Sequence, residues 1–149
     1  MRRPLLALVA PVVLALVLVP AAAAAQAREP IGQPSPTLTP AIRLGNLVFA
    51  SGQLPSRGAD TTIQAQTTST LENVKKVLEQ AGTTMDQAVK CTVFLVEGTD
   101  FQGMNQAYRA FWPQNPPART TVVVKALVSP GAKLEIECLA AMPATTPAR

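Results

Sequence analysis
The chain of 149 residues is 48% apolar and carries 13 Lys+Arg against 9 Asp+Glu, two cysteines and no histidine. Without an imidazole, a Ser-His-Asp triad, a Cys-His pair and a His-ligated metal site are excluded, and two cysteines cannot close a four-thiolate zinc site. Gly-x-Gly-x-x-Gly and Gly-x-x-x-x-Gly-Lys-Ser/Thr strings are absent too, so an enzyme built on this chain works with carboxylates, guanidinium groups, hydroxyls, backbone groups and water, with no metal and no cofactor.

Met1-Arg2-Arg3 precede an uncharged run from Pro4 to Ala25, and Ala25-Gln26-Ala27 closes it with a small-x-small exit. A basic start, an apolar middle and a small-residue end make a secretory signal peptide of residues 1–27. The rival is an uncleaved membrane anchor, since about 18 apolar residues can span a bilayer. Pro11, Pro20, the thinning to alanine and the lack of a following basic cluster argue against it. Cleavage takes away Arg2 and Arg3, leaving 11 basic residues against 9 acidic ones, a net of +2. That small balance offers no footprint for nucleic acid or anionic lipid. The expectation is an exported protein, periplasmic or secreted, touching a membrane only if the segment is retained.

Residues 28–40 hold Pro30, Pro34, Pro36 and Pro40 and read as an extended lead-in; 41–142 form one domain, and 143–149 a frayed tail. Leu47 to Ser51 is a strand, flanked by Gly45-Asn46 and Gly52, and the loop behind it has room for a short second strand. Ile63, Thr67, Leu71, Val74, Leu78 and Ala81 repeat at helical steps and end on Gly82, an amphipathic helix with a glycine cap. Ala88 to Val96 alternates as a strand, with Val89, Cys91, Val93 and Leu95 on one side. Asp100 is placed to cap a second helix, whose Phe101, Met104, Tyr108 and Phe111 share a face before Pro113. Strands over Arg119–Leu127 and Lys133–Ala141 follow, joined by a Ser129-Pro130-Gly131 turn. Cys91 and Cys138 both fall in strand patterns, as a disulfide or as two small core residues; the separation that decides between them is not in the sequence.

The order β-β-α-β-α-β-β predicts an α+β fold, one mixed sheet with two helices on one face. Thr121, Val123, Glu135, Glu137 and Leu139 are assigned to the other face, which is too apolar to stay wet and too polar for a dry core. A homo-oligomer packed sheet to sheet, with a partly solvated pocket at the seam, resolves that tension.

Four stretches resemble one family. Leu44-Gly45-Asn46 leading into Ala50-Ser51-Gly52-Gln53-Leu54-Pro55, then Leu71-Glu72-Asn73-Val74-Lys75, Asn105-Gln106-Ala107-Tyr108-Arg109-Ala110-Phe111, and Pro117-Ala118-Arg119 followed by Leu134-Glu135-Ile136-Glu137 resemble, in unbroken order, the RidA (YjgF) family of enamine/imine deaminases. The resemblance implies a chorismate-mutase-like protomer and a homotrimer with sites at the subunit seams. It also implies hydrolysis of 2-aminoacrylate-like intermediates to 2-keto acids and ammonia. It puts Glu135 at the catalytic water and Arg119 on the substrate carboxylate, with Ser51, Asn105 and Thr121 around the substrate. The residue types suit those roles: Arg119 offers a planar fork of donors, and Glu135, on one strand face with Glu137, can hold and activate a water. Ordinary roles stand beside them: an ion pair for Arg119 or Glu135, a strand-end hydroxyl for Ser51, a packing amide for Asn105. Two positions depart from the family pattern. Leu38-Thr39-Pro40 stands where a Tyr-Ser-Pro-like string is usual, and Thr121 where Cys is frequent.

Overall fold
The computed structural model describes residues 27–144; all but the last residue of the expected signal peptide, and residues 145–149 of the expected tail, lie outside the described residues. Six strands form one sheet: β1 (Arg28–Ile31), β2 (Ala41–Leu44), β3 (Leu47–Gln53), β4 (Ala88–Leu95), β5 (Ala118–Val123) and β6 (Leu134–Ala141). Their spatial order is β1-β2-β3-β6-β4-β5, with β4 and β5 parallel and every other pair antiparallel. Two helices, α1 (Ile63–Gln80) and α2 (Phe101–Tyr108), cross one face.

The second strand stands before the one read from sequence, not after it. Gly45, at φ 60, takes the first position of a two-residue turn between Leu44 and Leu47, and the hairpin pairs Ala41 with Ala50. Four residues of the proline-rich lead-in also join the sheet, as edge strand β1. Helix α1 starts where Thr62 Oγ1 accepts from the Ala65 N–H, and it ends at Gly82, φ 80, as the glycine cap requires. Its Ile63, Thr67, Leu71, Val74 and Leu78 are buried against the sheet. Helix α2 is shorter than expected and Asp100 does not cap it. A 3₁₀ turn over Gly98–Asp100 puts Asp100 itself in helical conformation, and its carboxylate pairs with Lys133 Nζ at 3.2 Å instead.

Cys91 and Cys138 face each other across β4 and β6 and are disulfide-bonded, with Cα atoms 4.1 Å apart. The bridge lies in the core beside Val48, Val93, Ile136 and Leu71. The face assignment on β5 is corrected by register: Thr121 pairs with Val93 and Arg119 with Cys91, so Arg119, Thr121 and Val123 belong to the helix side. Thr120 and Val122 take the open side, with Thr92, Phe94, Glu135, Glu137 and Leu139. No described helix covers that side, where Phe49 stays 45% and Val122 40% exposed.

Candidate functional site
Arg119 enters the site from β5, which pairs only with β4 and so forms an edge of the sheet. Its guanidinium is caught by α2. One Nη donates to Asn105 Oδ1 at 2.7 Å and the other faces Met104 Sδ at 3.8 Å. The ring of Tyr108 lies 4.7 Å from the guanidinium carbon and that of Phe101 5.8 Å. Residues 101, 104, 105 and 108 project on one side of the helix, so two successive turns supply two aromatic faces, an amide and a thioether. Asn105 and Met104 occupy two of the five guanidinium donors, and Arg119 has no carboxylate partner among the described residues. The ion-pair role is thus not the one it fills.

A cleft of about 340 Å³ opens beside this cluster, between α2 and the start of β5, walled by Tyr108, Trp112, Pro116 and Pro117. Tyr108 is buried there; the loss of hydration pushes its phenol up to about 12, against the downward pull of Arg119. Neither its hydroxyl nor that of Thr121, two residues along the strand from Arg119, has a hydrogen-bond partner among the described residues.

Glu135 sits elsewhere. It projects from β6 on the open face, next to Gly52 of β3, and has no hydrogen-bond or ion-pair partner among the described residues. Gly52 is a close approach: a Cβ there would come within 2.8 Å of the Glu135 carboxyl carbon, so only a residue without a side chain lets the carboxylate lie across β3. Glu137 shares the face and borders a smaller cavity of about 170 Å³ with Lys90, Thr92 and Phe49. Ser51 keeps its strand-end role, its Oγ donating to the Thr39 carbonyl at 2.7 Å. It borders a cavity of about 430 Å³ under the 35–39 loop, where Leu38 is half exposed.

The candidate residues therefore fall into two separate groups within one chain. Arg119, Asn105 and Thr121 cluster on the helix side of β5, while Glu135 and Ser51 lie on the open side of β6 and β3. Sequence reasoning missed Gly52 as the seat of Glu135 and set Tyr108 aside as packing. Tyr108 is packing and also the platform under Arg119, a role that its helical spacing from Asn105 and Met104 could have suggested.

The family model described as Endoribonuclease L-PSP matches residues 27–142. The chain belongs to this family, the YjgF/RidA proteins. Among curated relatives, mitochondrial protein mmf2 of Schizosaccharomyces pombe is 42% identical over 106 residues, covering 68% of this chain and 84% of the relative. The chloroplastic Reactive Intermediate Deaminase A of Arabidopsis thaliana is 37% identical over 107 residues, 68% of this chain and 57% of the relative. Of the solved structures, a Mycobacterium tuberculosis member of the YjgF/YER057c/UK114 family superposes with a TM-score of 0.71 at 27% identity, over 78% of this chain and all of the other. The resemblance read from the four motifs is thereby established, and with it the single mixed-sheet YjgF domain. Within this YjgF/RidA group one relative is named a reactive-intermediate deaminase, while the family model is described as an endoribonuclease.

Proposed function
We propose that the protein is an exported, homotrimeric deaminase that hydrolyses small carboxylate-bearing imines and enamines to 2-keto acids and ammonia, without metal or cofactor. One observation carries the reading: Arg119 is a preformed, carboxylate-free guanidinium at a sheet edge, and Glu135 is an unpartnered carboxylate on the opposite face of the same sheet. They can meet only if one copy lays its β5 edge against the open face of another. The apolar surface left there by Phe49, Phe94, Val122 and Leu139 favours that packing.

In such a seam the free donors of Arg119 fork onto the substrate carboxylate, held in plane by Asn105 and by the ring of Tyr108. Glu135 of a neighbouring copy takes a proton from water as its oxygen adds to the imine carbon. That proton passes to the imine nitrogen to complete the carbinolamine, and a second transfer through the same carboxylate, from the carbinolamine hydroxyl to nitrogen, breaks the C–N bond to give the keto acid and ammonia. An enamine first gains a proton at its β carbon to become the imine. The buried Cys91–Cys138 bridge suits an oxidising compartment, in keeping with a mature chain that begins near Arg28.

Leu38 and Thr121, at the two positions that depart from the family pattern, favour a second reading, a trimer that binds small carboxylates without turning them over. A keto-acid release assay with several imines generated in place, run on wild type and Arg119→Ala, separates the two. Release that depends on Arg119 supports the deaminase. Inactivity on every imine, with carboxylate binding intact, supports the binding module.

A further inference from the structure
The cleft beside Arg119 is lined by a second arginine, the exposed Arg109. Arg109, the residue that closes α2, and Arg119, near the start of β5, stand at the two ends of the intervening loop, and both line the cleft. The other polar residues of the lining are Gln102, Asn105 and Tyr108, and no acidic side chain of the same chain is among them. Arg109 makes no ion pair among the described residues. A cation at a helix C-terminus is favourable by itself, which explains an arginine there but not its share of a cleft that already contains Arg119. Arg119 holds one carboxylate, and Arg109 adds a second planar fork of donors with no ion-pair partner among the described residues, suited to a second carboxylate on the same ligand. The wall is also set before any ligand arrives. Trp112 donates from Nε1 to the Met85 carbonyl at 2.9 Å and packs 4.7 Å from Tyr108, and Pro113, Pro116 and Pro117 restrict the loop.

We infer that this cleft selects dicarboxylic substrates, 2-imino acids of the aspartate or glutamate type, with Arg109 holding the second carboxylate. The inference rests on the reading of Arg119 as the clamp for the first one. Arg109 is then a specificity-determining residue, and 2-aminoacrylate-like compounds, which lack the second carboxylate, are the poorer substrates.

The test uses the mature protein beginning at Arg28. Hydrolysis is followed for the imines of aspartate and of alanine, generated in place by amino-acid oxidation, and calorimetry compares 2-oxoglutarate with 2-oxobutyrate. In the wild type both kcat/KM and affinity should favour the dicarboxylate about tenfold or more, the worth of one charge-assisted contact. Arg109→Ala should bring both ratios close to one, and Arg109→Lys should restore part of them. Equal treatment of the two classes by the wild type, or ratios that survive Arg109→Ala, would overturn the inference. Binding that prefers 2-oxoglutarate through Arg109 without hydrolysis of either imine would uphold the cleft's selectivity and end the deaminase reading. Equal hydrolysis of both imines would do the reverse.

Discussion

Replacing Gly52 with alanine adds one methyl group directly against the Glu135 side chain. The new carbon would overlap Glu135 Oε1 and stand 2.8 Å from the carboxyl carbon and 3.1 Å from Cγ, where ordinary carbon–carbon contact begins at about 3.5 Å. Relieving the Oε1 overlap moves the carboxylate by more than about 1 Å or swings it to another rotamer, and a displacement of about 1 Å at a reacting group can cost on the order of 10²-fold in rate. Stability should hardly move. Gly52 is not among the positive-φ glycines, so the backbone accepts alanine, and the loss of unfolded-state freedom contributes about 0.4–1 kcal/mol in its favour. Glu135 is only half buried and has room to turn. Steady-state kinetics on the best imine should thus show kcat down about 100-fold with KM little changed, and a melting temperature within about 4 °C of wild type. A folded Gly52→Ala protein with wild-type kcat would show that Glu135 does not work from the place this strand gives it.

Glu135→Gln and Arg119→Ala should separate in the same assay. The first keeps ligand affinity while kcat falls by roughly 10²–10⁴, and the second loses affinity for small carboxylates together with turnover; affinity intact in Arg119→Ala refutes the clamp. Reducing the Cys91–Cys138 bridge, which spans 47 residues, should lower unfolding free energy by about 4 kcal/mol in denaturant titration, and an equal free energy for the fully reduced protein would contradict a stabilising bridge. Tyr108 sets an alkaline limit: its folded value of about 12 lies above its ordinary 10, so its contribution is full below pH 10 and is lost as pH climbs toward 12, where the unfolded chain alone has released the proton. Tyr108→Phe should flatten that limb in thermal melts taken from pH 9 to 12. Light scattering of the mature protein at micromolar concentration should give three times the chain mass, and a monomer would leave Arg119 and Glu135 unable to meet.

The helical spacing from Ile63 to Leu78 was legible because five large or branched side chains repeat on one face of the eighteen-residue helix, and that face is the buried one. Strand β1 was not legible. Pro30 argues against a strand except at a sheet edge, where its missing N–H costs no ladder bond, and an edge is where it sits, opposite Ile42. Strand β5 misled for a different reason: its two faces carry the same residue types, Thr120 and Val122 on one, Thr121 and Val123 on the other, so alternation alone gives no sense of inside. Only pairing with Val93 settles it, and pairing belongs to the fold. Arg119 with Asn105 could be matched to family motifs, but that Glu135 lies behind the sheet from them follows from this register and from nothing shorter in range.

The last strand in the sequence is the one in the middle of the sheet. Residues 134–141 insert between β3 and β4, forming hydrogen bonds to both, and they bring the second half of the disulfide. Until they arrive, the hairpin of β2 and β3 and the parallel pair of β4 and β5 have no common neighbour, so the sheet stays in two pieces and Cys91 has no mate. Folding is thereby tied to the end of the chain rather than to its beginning. For the exported protein proposed above, such timing keeps the polypeptide threadable through a translocation channel until its final strand has passed, and then closes sheet and disulfide in one event.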